Sequence, residues 1–307
     1  MRLARAGIDV LVVDSNAAHV AVLNTVGLEL NGVRTRLHAV TPDELRATDV
    51  DVVLLAVRSK ATEQALQPVI ATGAHVISLQ NGLNEDKIAE LIGPERTIGC
   101  VVGFGATWIE DGRISLDAEG PLTMGRLDGS TDPRLAESHQ LLNNAFPTRI
   151  TGNIRGALWG KMLVNSVTVL GALAGMLTGE LLAMQERRSV VARIVAEGIA
   201  VADSEGVVLG KVFGVVATDW VEKSDEALSR FAENFGAIRS VTWRDFEIGR
   251  PTEIDAVTGE IVRRGARNNV PTPLSAAVYE MLREIEAGHR PPDIGNLEPL
   301  SSRSHPG

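Results

Sequence analysis

The feature that most constrains the fold is an alternation in the first half of the chain, where short apolar runs are separated by stretches with helical periodicity. Residues 9–13, 50–57 and 75–79 are almost continuously apolar, which is typical of strands buried on both faces. Parallel strands of this kind need a long crossover connection, usually a helix. The alternation therefore predicts an α/β fold with a doubly wound parallel sheet. Glycine-punctuated segments between 97 and 127 predict antiparallel strands at the edge of that sheet.

Polar residues follow each of the three predicted strands, and ligands of doubly wound sheets bind at the carboxyl ends of the strands. Asp14 follows the first run, Arg58 the second, and Asn81 with Gly82 the third. A carboxylate at Asp14 would accept hydrogen bonds from a ribose diol and repel a 2′-phosphate, which favours NAD over NADP; a helix N-cap is an equally good interpretation. Arg58 either lies along a phosphate or caps a strand end in solvent. Asn81 and Gly82 are either a ligand contact or a simple turn pair.

The glycine-rich loop of a dinucleotide-binding sheet is not found in its expected place. A Rossmann-type sheet begins with a strand and a G-x-G-x-x-G loop, whose bare backbone lets pyrophosphate approach a helix N-terminus. No such segment precedes Asp9, and residues 1–7 instead resemble the last turns of the helix after that loop, with Gly7 as its stop. We therefore expect an N-terminally truncated sheet. Either the loop has been lost, or translation begins about 20 residues upstream.

The second half of the chain changes to long segments with a 3.6-residue period, which predicts an all-helical domain. We expect a dinucleotide-binding domain over residues 1–152 and a helical domain for substrate binding and dimerisation over residues 153–307. The predicted helices span 155–174, 179–205, 211–232, 252–267 and 274–287.

The first of these helices carries an unusual polar pair. The stretch Trp159–Asn165 places Lys161 and Asn165 four residues apart in an apolar run, so both side chains project from one face where the neighbouring residues argue for burial. The common explanation of such a lysine is that its stem packs while its ammonium reaches solvent. The alternative is a buried ammonium that faces a ligand, and the local sequence does not separate the two.

Charge and composition exclude several classes of function. The net charge of −9 and the pI near 5.3 leave no basic field for nucleic acid or anionic lipid. The single cysteine, Cys100, and the scattered histidines form neither a disulfide framework nor a metal-ligand spacing. No run of about 18 apolar residues and no signal-peptide order is evident. These observations predict a cytoplasmic protein with no metal and no nucleic-acid or membrane partner.

Several motifs in a fixed order resemble those of the ketopantoate reductase family, over residues 4 to about 300. The most specific are W-G-K-x-x-x-N, which begins at Trp159, and G-R-P-T-E-I-D, which begins at Gly249; L-Q-N-G, G-F-G-A and V-P-T-P accompany them. The resemblance implies a Rossmann-type domain followed by a helical domain of the 6-phosphogluconate dehydrogenase C-terminal type. It also implies NADPH-dependent reduction of the keto group of 2-dehydropantoate, a step of pantothenate biosynthesis.

The resemblance assigns catalytic roles to Lys161 and Glu253 and a substrate-binding role to Asn165. Lys161 matches the family's catalytic lysine, and such a cation fits the chemistry because hydride delivery to a ketone builds negative charge on the oxygen that must be protonated. Glu253 matches a glutamate that contributes to this site and to the cofactor's ribose. Its bland alternative is a carboxylate near a helix start, where the helix dipole favours it. Asn165 matches an asparagine that hydrogen-bonds substrate.

The resemblance also points to residues that hold the cofactor. Asn81 and Arg58 occupy the positions of a cofactor-binding asparagine and lysine, and Gly105 falls near a backbone contact to the cofactor. Members that use NADPH generally have a basic residue near the position of Asp14, so the cofactor is expected to be NADP or NAD. The usual cofactor of the family favours NADP, and the Asp14 carboxylate favours NAD.

Two positions depart from the family pattern where it binds substrate. Val169 stands where the family has a second asparagine that binds substrate. The family's third substrate-binding asparagine aligns near Thr178. Val241 replaces a serine that holds the substrate carboxylate, which leaves Ser240 as the neighbouring hydroxyl. Two lost hydrogen bonds to polar groups cost roughly 1.5–3 kcal/mol each. We therefore expect a small 2-oxo acid substrate that need not be ketopantoate.

Two other interpretations stay open. The chain could be a non-catalytic relic of the family that dimerises through its helical domain, because without a glycine loop it lacks a seat for pyrophosphate. A desolvated lysine can also act as a Schiff-base nucleophile, although this is the weaker alternative. A homodimer is compatible with a helical domain, but no residue pattern specifies its interface.

Overall fold

The computed structural model describes residues 1–45, 50–211, 214, 216–237 and 239–301. The chain divides into two compact units. The first comprises Met1–Gln80 and Glu85–Ile154, and the second comprises Asn81–Asn84 and Arg155–Gly307. The first unit is α/β and the second is helical.

The described residues of the first unit form short strands and five α-helices. The strands are β1 (Leu11–Val13), β2 (Leu28–Leu30), β3 (Val33–Thr35), β4 (His38–Val40), β5 (Val52–Leu55), β6 (His75–Ser78), β7 (Thr97–Val102), β8 (Gly105–Glu110), β9 (Arg113–Ala118), β10 (Leu122–Arg126) and β11 (Thr148–Ile150). The helices are α1 (Arg2–Arg5), α2 (Ala17–Thr25), α3 (Thr62–Ile70), α4 (Glu85–Ile92) and α5 (Pro133–Asn143).

A five-stranded sheet in the order β11–β10–β7–β6–β5 is the centre of the first unit. β5, β6 and β7 are parallel neighbours, and β10 runs antiparallel to β7. A separate parallel pair joins β1 to β4. Among the described strands, this pair shares no ladder with the five-stranded sheet. The expectation that a first strand lies outside the chain stays a prediction.

Successive residues of β6 alternate between two cores on opposite faces of the sheet. Val76 belongs to a core with Leu66 of α3 and Ile88 of α4. Ile77 belongs to another core with Leu135 of α5. All five side chains are fully buried. Because helices cover both faces of the parallel strands, the sheet is doubly wound, and the predicted Rossmann-type α/β fold is confirmed.

The strands between 97 and 127 differ in part from the sequence-based expectation. β7 and β10 do form an antiparallel pair in the central sheet. β8 and β9 instead form a hairpin that joins β2 and β3 in a four-stranded sheet, in the order β3–β2–β9–β8. β2 and β3 have three residues each, which is too short for a two-residue period to be recognised. The destination of the hairpin was therefore not predictable from the sequence.

The second unit is built around its first helix. Its helices are α6 (Ile154–Ala174), α7 (Thr178–Ala183), α8 (Gln185–Ser204), α9 (Asp219–Glu222), α10 (Ser224–Phe235), α11 (Val241–Glu247), α12 (Thr258–Arg267), α13 (Pro273–Glu286) and α14 (Glu298–Ser301). A single hydrophobic core joins α6, α8 and α13 through residues such as Leu163, Val195 and Leu282, each fully buried. The predicted helical second half is confirmed.

α6 corrects one statement made from the sequence. Over an 18-residue window its mean hydropathy is 1.4, so it is long and apolar enough, by length and composition alone, to cross a membrane. Lys161 and Asn165 interrupt the apolar run without outweighing it. Of that window, 83% is buried inside the protein, as expected for the central helix of a folded core.

Three of the predicted helices have other boundaries. The helix expected over 179–205 is two helices, because Met184 adopts an extended backbone with ψ of 103°. The helix expected over 252–267 begins at Thr258, and residues 253–257 form a turn. Of the helix expected over 211–232, residues 212, 213 and 215 lie outside the described residues. Most of the rest belongs to α9 and α10.

Candidate active site

Lys161, Asn165 and Thr168 form a polar stripe along α6. Spacings of four and three residues place their side chains on one face of the helix. Every other residue from Gly156 to Ala174 is buried. Since the rest of the helix surface is packed into the core, the rotation of α6 is fixed and the polar stripe has one orientation.

Lys161 is only partly exposed, and burial lowers the pKa of its ammonium from the usual 10.5 to about 8. Removing a charge from water disfavours the charged form. An ammonium that reached bulk solvent at the end of a packed stem would keep a pKa near the usual value, so the snorkelling interpretation fits poorly. At neutral pH Lys161 is mainly protonated and gives up its proton more readily than an ordinary lysine.

Asn81 links the polar stripe to Glu253. Asn165 Nδ2 donates to Asn81 Oδ1 at 3.5 Å, and Asn81 Nδ2 donates to Glu253 Oε2 at 3.4 Å. A carboxylate only accepts hydrogen bonds, which sets the orientation of the Asn81 amide. Both bonds are long. Three residues singled out from the sequence are thus joined within the second unit.

Gly82 allows this link because its backbone conformation and its surroundings both exclude a side chain. Its φ is +90°, and a Cβ there would lie 2.6 Å from the carbonyl oxygen of Ala256. Asn84 Nδ2 donates to the carbonyl oxygen of Asn81 at 2.8 Å and closes the loop. The loop after β6 therefore packs directly on the turn that carries Glu253. The explanation of Asn81–Gly82 as a turn pair is correct for its backbone, and the Asn81 amide adds the contact to Glu253.

Glu253 lies in a tight turn and not in the first turn of α12. Its carbonyl oxygen accepts hydrogen bonds from the N–H groups of Ala256 and Val257 at 3.0 and 3.2 Å. Its neighbours Thr252 and Ile254 are both buried. The helix dipole that would explain a carboxylate at a helix start does not apply, because α12 begins five residues later.

Asp14 lies at the carboxyl end of β1, as predicted, but it is not a helix N-cap. Its backbone N–H donates to the carbonyl oxygen of Val40 at the end of β4. Its Oδ1 accepts from the N–H of Asn16 at 2.8 Å. The side chain of Asn16 caps α2 by accepting from Ala18 and His19. The N-cap interpretation of Asp14 is therefore wrong: Asn16 occupies that position.

Arg58 and Gly105 also lie in the first unit. Arg58 follows β5 and begins a short 3₁₀ helix over Ser59–Ala61. Gly105 is the first residue of β8 and does not have a positive φ. A Cβ at Gly105 would make ordinary van der Waals contact with Ala118 at 3.7 Å. Nothing in the described packing requires a glycine there, in contrast to Gly82.

The residues expected to contact the substrate have diverse environments. Thr178 is buried, and its hydroxyl has no hydrogen-bond partner among the described residues. Ser240 is also buried and caps α11, where its hydroxyl accepts from the N–H of Trp243 at 3.1 Å. Val169 belongs to the hydrophobic core, whereas Val241 is half exposed. Ser240 thus has a structural task, whereas the Thr178 hydroxyl is buried without a hydrogen-bond partner among the described residues.

Thr168 is the member of the polar stripe that the sequence analysis missed. Its spacing of three residues from Asn165 was the available signal. A threonine on an apolar helix face is common, however, because its hydroxyl can bond to its own helix backbone. Thr168 does so, donating to the carbonyl oxygen of Asn165 at 2.9 Å.

In the part of the chain that the structure describes, no group of His, Cys, Asp or Glu residues has the arrangement of a metal site.

Comparison with known families matches both units of the chain. Residues 1–129 match the family model "Ketopantoate reductase PanE/ApbA", and residues 153–286 match "Ketopantoate reductase PanE/ApbA C terminal". A 2-dehydropantoate 2-reductase of Pyrococcus horikoshii is 27% identical over 291 residues, which cover 93% of this chain and 92% of that protein.

Solved structures of similar fold cover almost the whole chain. A PanE/ApbA family ketopantoate reductase from Ralstonia eutropha is 27% identical, with a TM-score of 0.80 and 94% of each chain covered. A D-mandelate dehydrogenase, solved with NADH and anilino(oxo)acetate, has a TM-score of 0.82 at 24% identity, again with 94% of each chain covered. The matches to both units confirm the predicted class of NAD(P)-dependent oxidoreductase: the chain belongs to the ketopantoate reductase family.

Proposed function

We propose that this protein reduces a small 2-oxo acid to the 2-hydroxy acid with NADH or NADPH, and that Lys161 is the general acid. The observation that carries the proposal is the partly desolvated Lys161 on the polar stripe, with a pKa near 8. A general acid is most effective when its pKa lies near the operating pH. Family membership supports the reductase class, and the roles of single residues rest on their environments.

The proposed step couples hydride transfer to the carbonyl carbon with proton transfer to the carbonyl oxygen. The reduced nicotinamide, when bound, supplies a hydride to the carbonyl carbon. Lys161 Nζ donates its proton to the carbonyl oxygen, so the ketone becomes a hydroxyl group and Lys161 is left neutral until solvent reprotonates it. Before transfer, the Lys161 ammonium stabilises the negative charge that grows on that oxygen. Asn165, one helical turn away, hydrogen-bonds the substrate and holds its carbonyl in reach of Lys161.

The first unit offers groups that suit a dinucleotide. The Asp14 carboxylate is at a strand end, and the described structure gives only Oδ1 a partner, from Asn16; a ribose diol is a suitable donor for the other oxygen. Gly105 has no need of a bare backbone for its own packing, so a close approach of the cofactor would account for the glycine. We assign Asp14, Arg58 and Gly105 to the cofactor, and Asn81 and Glu253 to its ribose.

The Asp14 carboxylate favours NADH, because it would repel the 2′-phosphate of NADPH. We expect Asp14→Ala to weaken NADH binding and to reduce the preference for NADH over NADPH. Fluorescence titration with each cofactor measures both effects. Asp9→Ala is the matched control, since Asp9 lies before β1 at its other end. Equal affinity for the two cofactors in the parent protein would contradict the assignment.

The substrate side of the proposal rests on the second unit. Val169 and Val241 offer no hydrogen bonds, and the polar stripe supplies only Lys161, Asn165 and Thr168. We propose a 2-oxo acid that has few polar groups beyond the keto acid itself. Ketopantoate and the aryl 2-oxo acid phenylglyoxylate are the two probes to compare, the second because a relative of the same fold is a D-mandelate dehydrogenase.

Replacing Lys161 tests the chemistry. For Lys161→Ala we expect kcat to fall by about 10²–10⁴-fold with little change in cofactor affinity. In the parent protein, kcat should be constant below pH 7 and fall about tenfold per pH unit above pH 8, because only the protonated lysine can donate. The control is Lys87→Ala, an exposed lysine of the first unit. A rate within a few-fold of the parent would exclude the acid role.

A non-catalytic relic is the alternative. It predicts no binding of NADH or NADPH by residues 1–307, so micromolar affinity for either cofactor would exclude it. We place the active protein in the cytoplasm, in keeping with its one buried, unpaired cysteine. A homodimer remains a prediction to be measured by sedimentation.

A further inference from the structure

The turn that carries Glu253 is held by one face of α13. Tyr279, Arg283 and Glu286 are spaced by four and three residues and therefore share this face. Tyr279 Oη donates to Asp255 Oδ1 at 2.6 Å, and Glu286 accepts from Thr252. Both contacts flank Glu253 itself, one residue before it and two after it.

The Glu286 contact is the better buried of the two. A single oxygen, Glu286 Oε1, accepts both the backbone N–H and the hydroxyl of Thr252, each at 2.7 Å. Thr252 Oγ1 in turn accepts from the N–H of Ile254 at 3.4 Å. Thr252 is 8% exposed and Ile254 is 1% exposed, whereas Asp255 is exposed to solvent. Charge-assisted hydrogen bonds to buried donors are the stronger kind.

From these contacts we propose that Glu286 is a positioning residue, which fixes the Glu253 carboxylate against Asn81 through Thr252. This inference rests on the proposed function, in which Glu253 serves the active site. Glu286 touches neither substrate nor cofactor in this scheme. Glu286 holds Thr252 directly. The Thr252 hydroxyl in turn accepts from the N–H of Ile254, so the backbone on the other side of Glu253 is held through Thr252, and the direction of the Glu253 side chain depends on both.

Small displacements of this turn would matter. The bond from Asn81 Nδ2 to Glu253 Oε2 is already 3.4 Å long, close to the limit at which a hydrogen bond is lost. A shift of a few tenths of an ångström in the turn would break it. Shifts of about 1 Å at groups away from the reacting atoms can cost about 10²-fold in rate.

The test compares Glu286→Ala with Glu286→Gln. Glutamine keeps a side-chain oxygen for Thr252 and gives up only the charge and the exposed ion pair with Arg283, so it should rescue what alanine loses. Glu284→Ala is the matched control, since Glu284 lies on the same helix and pairs with Arg290 at the surface. Thr252→Val removes the hydroxyl with little change in shape and serves if Glu286→Ala does not fold.

Two readouts do not depend on turnover. In Glu286→Ala we expect amide hydrogen exchange at Thr252 and Ile254 to accelerate about tenfold or more. The Asn81 Nδ2 proton resonances should move as they do in Glu253→Gln. Neither effect is expected in Glu286→Gln or Glu284→Ala. Unchanged exchange and unchanged Asn81 resonances in Glu286→Ala and Thr252→Val would overturn the inference.

Turnover separates this inference from the proposed function. We expect Glu286→Ala to lower kcat/KM about tenfold or more, and to cause no further loss in a Glu253→Gln background. An additional loss there would show a general structural role and overturn positioning. If Glu253→Gln keeps the parental turnover, Glu253 has no role in the proposed function. The Asn81 resonances would still show whether Glu286 positions the Glu253 carboxylate.

Discussion

Burying the Lys161 ammonium costs folding free energy at neutral pH. Its pKa is 10.5 in an ordinary environment and about 8 in the folded protein. The unfolded chain therefore binds more protons than the folded protein between these values, and stability rises with pH across that window. Below pH 8 the cost of desolvation is fully present. A group that donates a proton well is thus also a group that weakens the fold.

Lys161→Met should consequently stabilise the protein while it abolishes activity. Methionine keeps the length of the side chain and removes the charge, so the free energy of unfolding at pH 7 should increase by on the order of 1–3 kcal/mol. Urea denaturation at pH 7 and pH 10 measures the change. The difference in the free energy of unfolding between Lys161→Met and the parent should be smaller at pH 10 than at pH 7. The exposed Lys87→Met is the control, and a Lys161→Met protein less stable than its parent at pH 7 would contradict the argument.

Gly82 and Gly206 provide a matched pair of glycines with positive φ. Nothing lies within 4 Å of a Cβ at Gly206, whereas a Cβ at Gly82 would meet the carbonyl oxygen of Ala256 at 2.6 Å. Gly206→Ala should therefore cost only backbone strain, about 1 kcal/mol. Gly82→Ala should cost about 3 kcal/mol or more and should lower kcat/KM, because Asn81 moves. Thermal unfolding and steady-state kinetics of the two variants check these expectations. If Gly82→Ala and Gly206→Ala lost the same stability, the contact between the new Cβ at position 82 and the Ala256 carbonyl oxygen would have been relieved by a local shift.

At the scale of elements, the start of α13 depends on a buried carboxylate from α8. Glu197 is 3% exposed and accepts from the N–H groups of Leu274 and Ser275 and from the Ser275 hydroxyl, at 2.7–2.8 Å. These donors have no intrahelical partner of their own, and a negative charge at a helix N-terminus is favourable. The cap therefore fixes where α13 begins, and with it the face that holds the Glu253 turn.

Glu197→Ala should destabilise the protein by about 3 kcal/mol or more, since it leaves buried donors without an acceptor. The comparison is Glu180→Ala, an exposed carboxylate that accepts from the N–H of Leu177 at 2.9 Å and should cost about 1 kcal/mol. Urea denaturation of both variants measures the difference. A similar loss from the two would mean that solvent replaces the Glu197 bonds.

The elements that were predictable are those with a long or repeated pattern. The three apolar runs became β1, β5 and β6, and the polar pair in α6 was visible because its surroundings are so apolar. The three-residue strands β2, β3 and β4 have no period to detect. The break at Met184 follows from local capping, in which Arg188 Nε donates to the carbonyl oxygen of Leu182, and hydrophobic periodicity does not report it.

The residues of the candidate site could be named one by one from the sequence, but their arrangement could not be predicted. Asn81 and Glu253 are 172 positions apart, so no local pattern could join them, and the resemblance to a family named them separately. Glu286 was missed for the same reason. Thr168 was missed although its spacing from Asn165 was visible, because that spacing is not distinctive. A threonine in a helix and a glutamate near the end of one are ordinary in sequence, and only their contacts in the folded chain distinguish them.

For the whole molecule, the two units have hydrophobic cores of different kinds. Among the described residues, a large contiguous core lies in the second unit, whereas the cores of the first unit are smaller. A larger contiguous core buries more apolar surface and therefore contributes more to the free energy of unfolding. We therefore expect the first unit to unfold before the second, so that unfolding is not two-state.

The tryptophans allow this to be measured. Trp159 and Trp220 are buried in the second unit, while Trp108 of the first unit is exposed. Intrinsic fluorescence should thus report mainly on the second unit and show a higher urea midpoint than far-ultraviolet circular dichroism, which reports on both. Trp108→Phe should leave the fluorescence midpoint unchanged. NADH should raise the lower transition, because the first unit supplies Asp14, Arg58 and Gly105 to the proposed cofactor site. Coincident midpoints by the two methods would contradict separate unfolding.

The loop after β6 has a consequence for recombining this family by protein engineering. The chain leaves the first unit at Gln80, contributes Asn81–Asn84 to the second, and returns at Glu85 before its final passage at Ile154. A chimaera joined at Ile154 would therefore take Asn81 and Gly82 from one parent and the Glu253 turn from the other. In such a protein the loop and the Glu253 turn would come from different parents and would not be adapted to each other. Exchanging the loop together with the helical half would keep this contact intact.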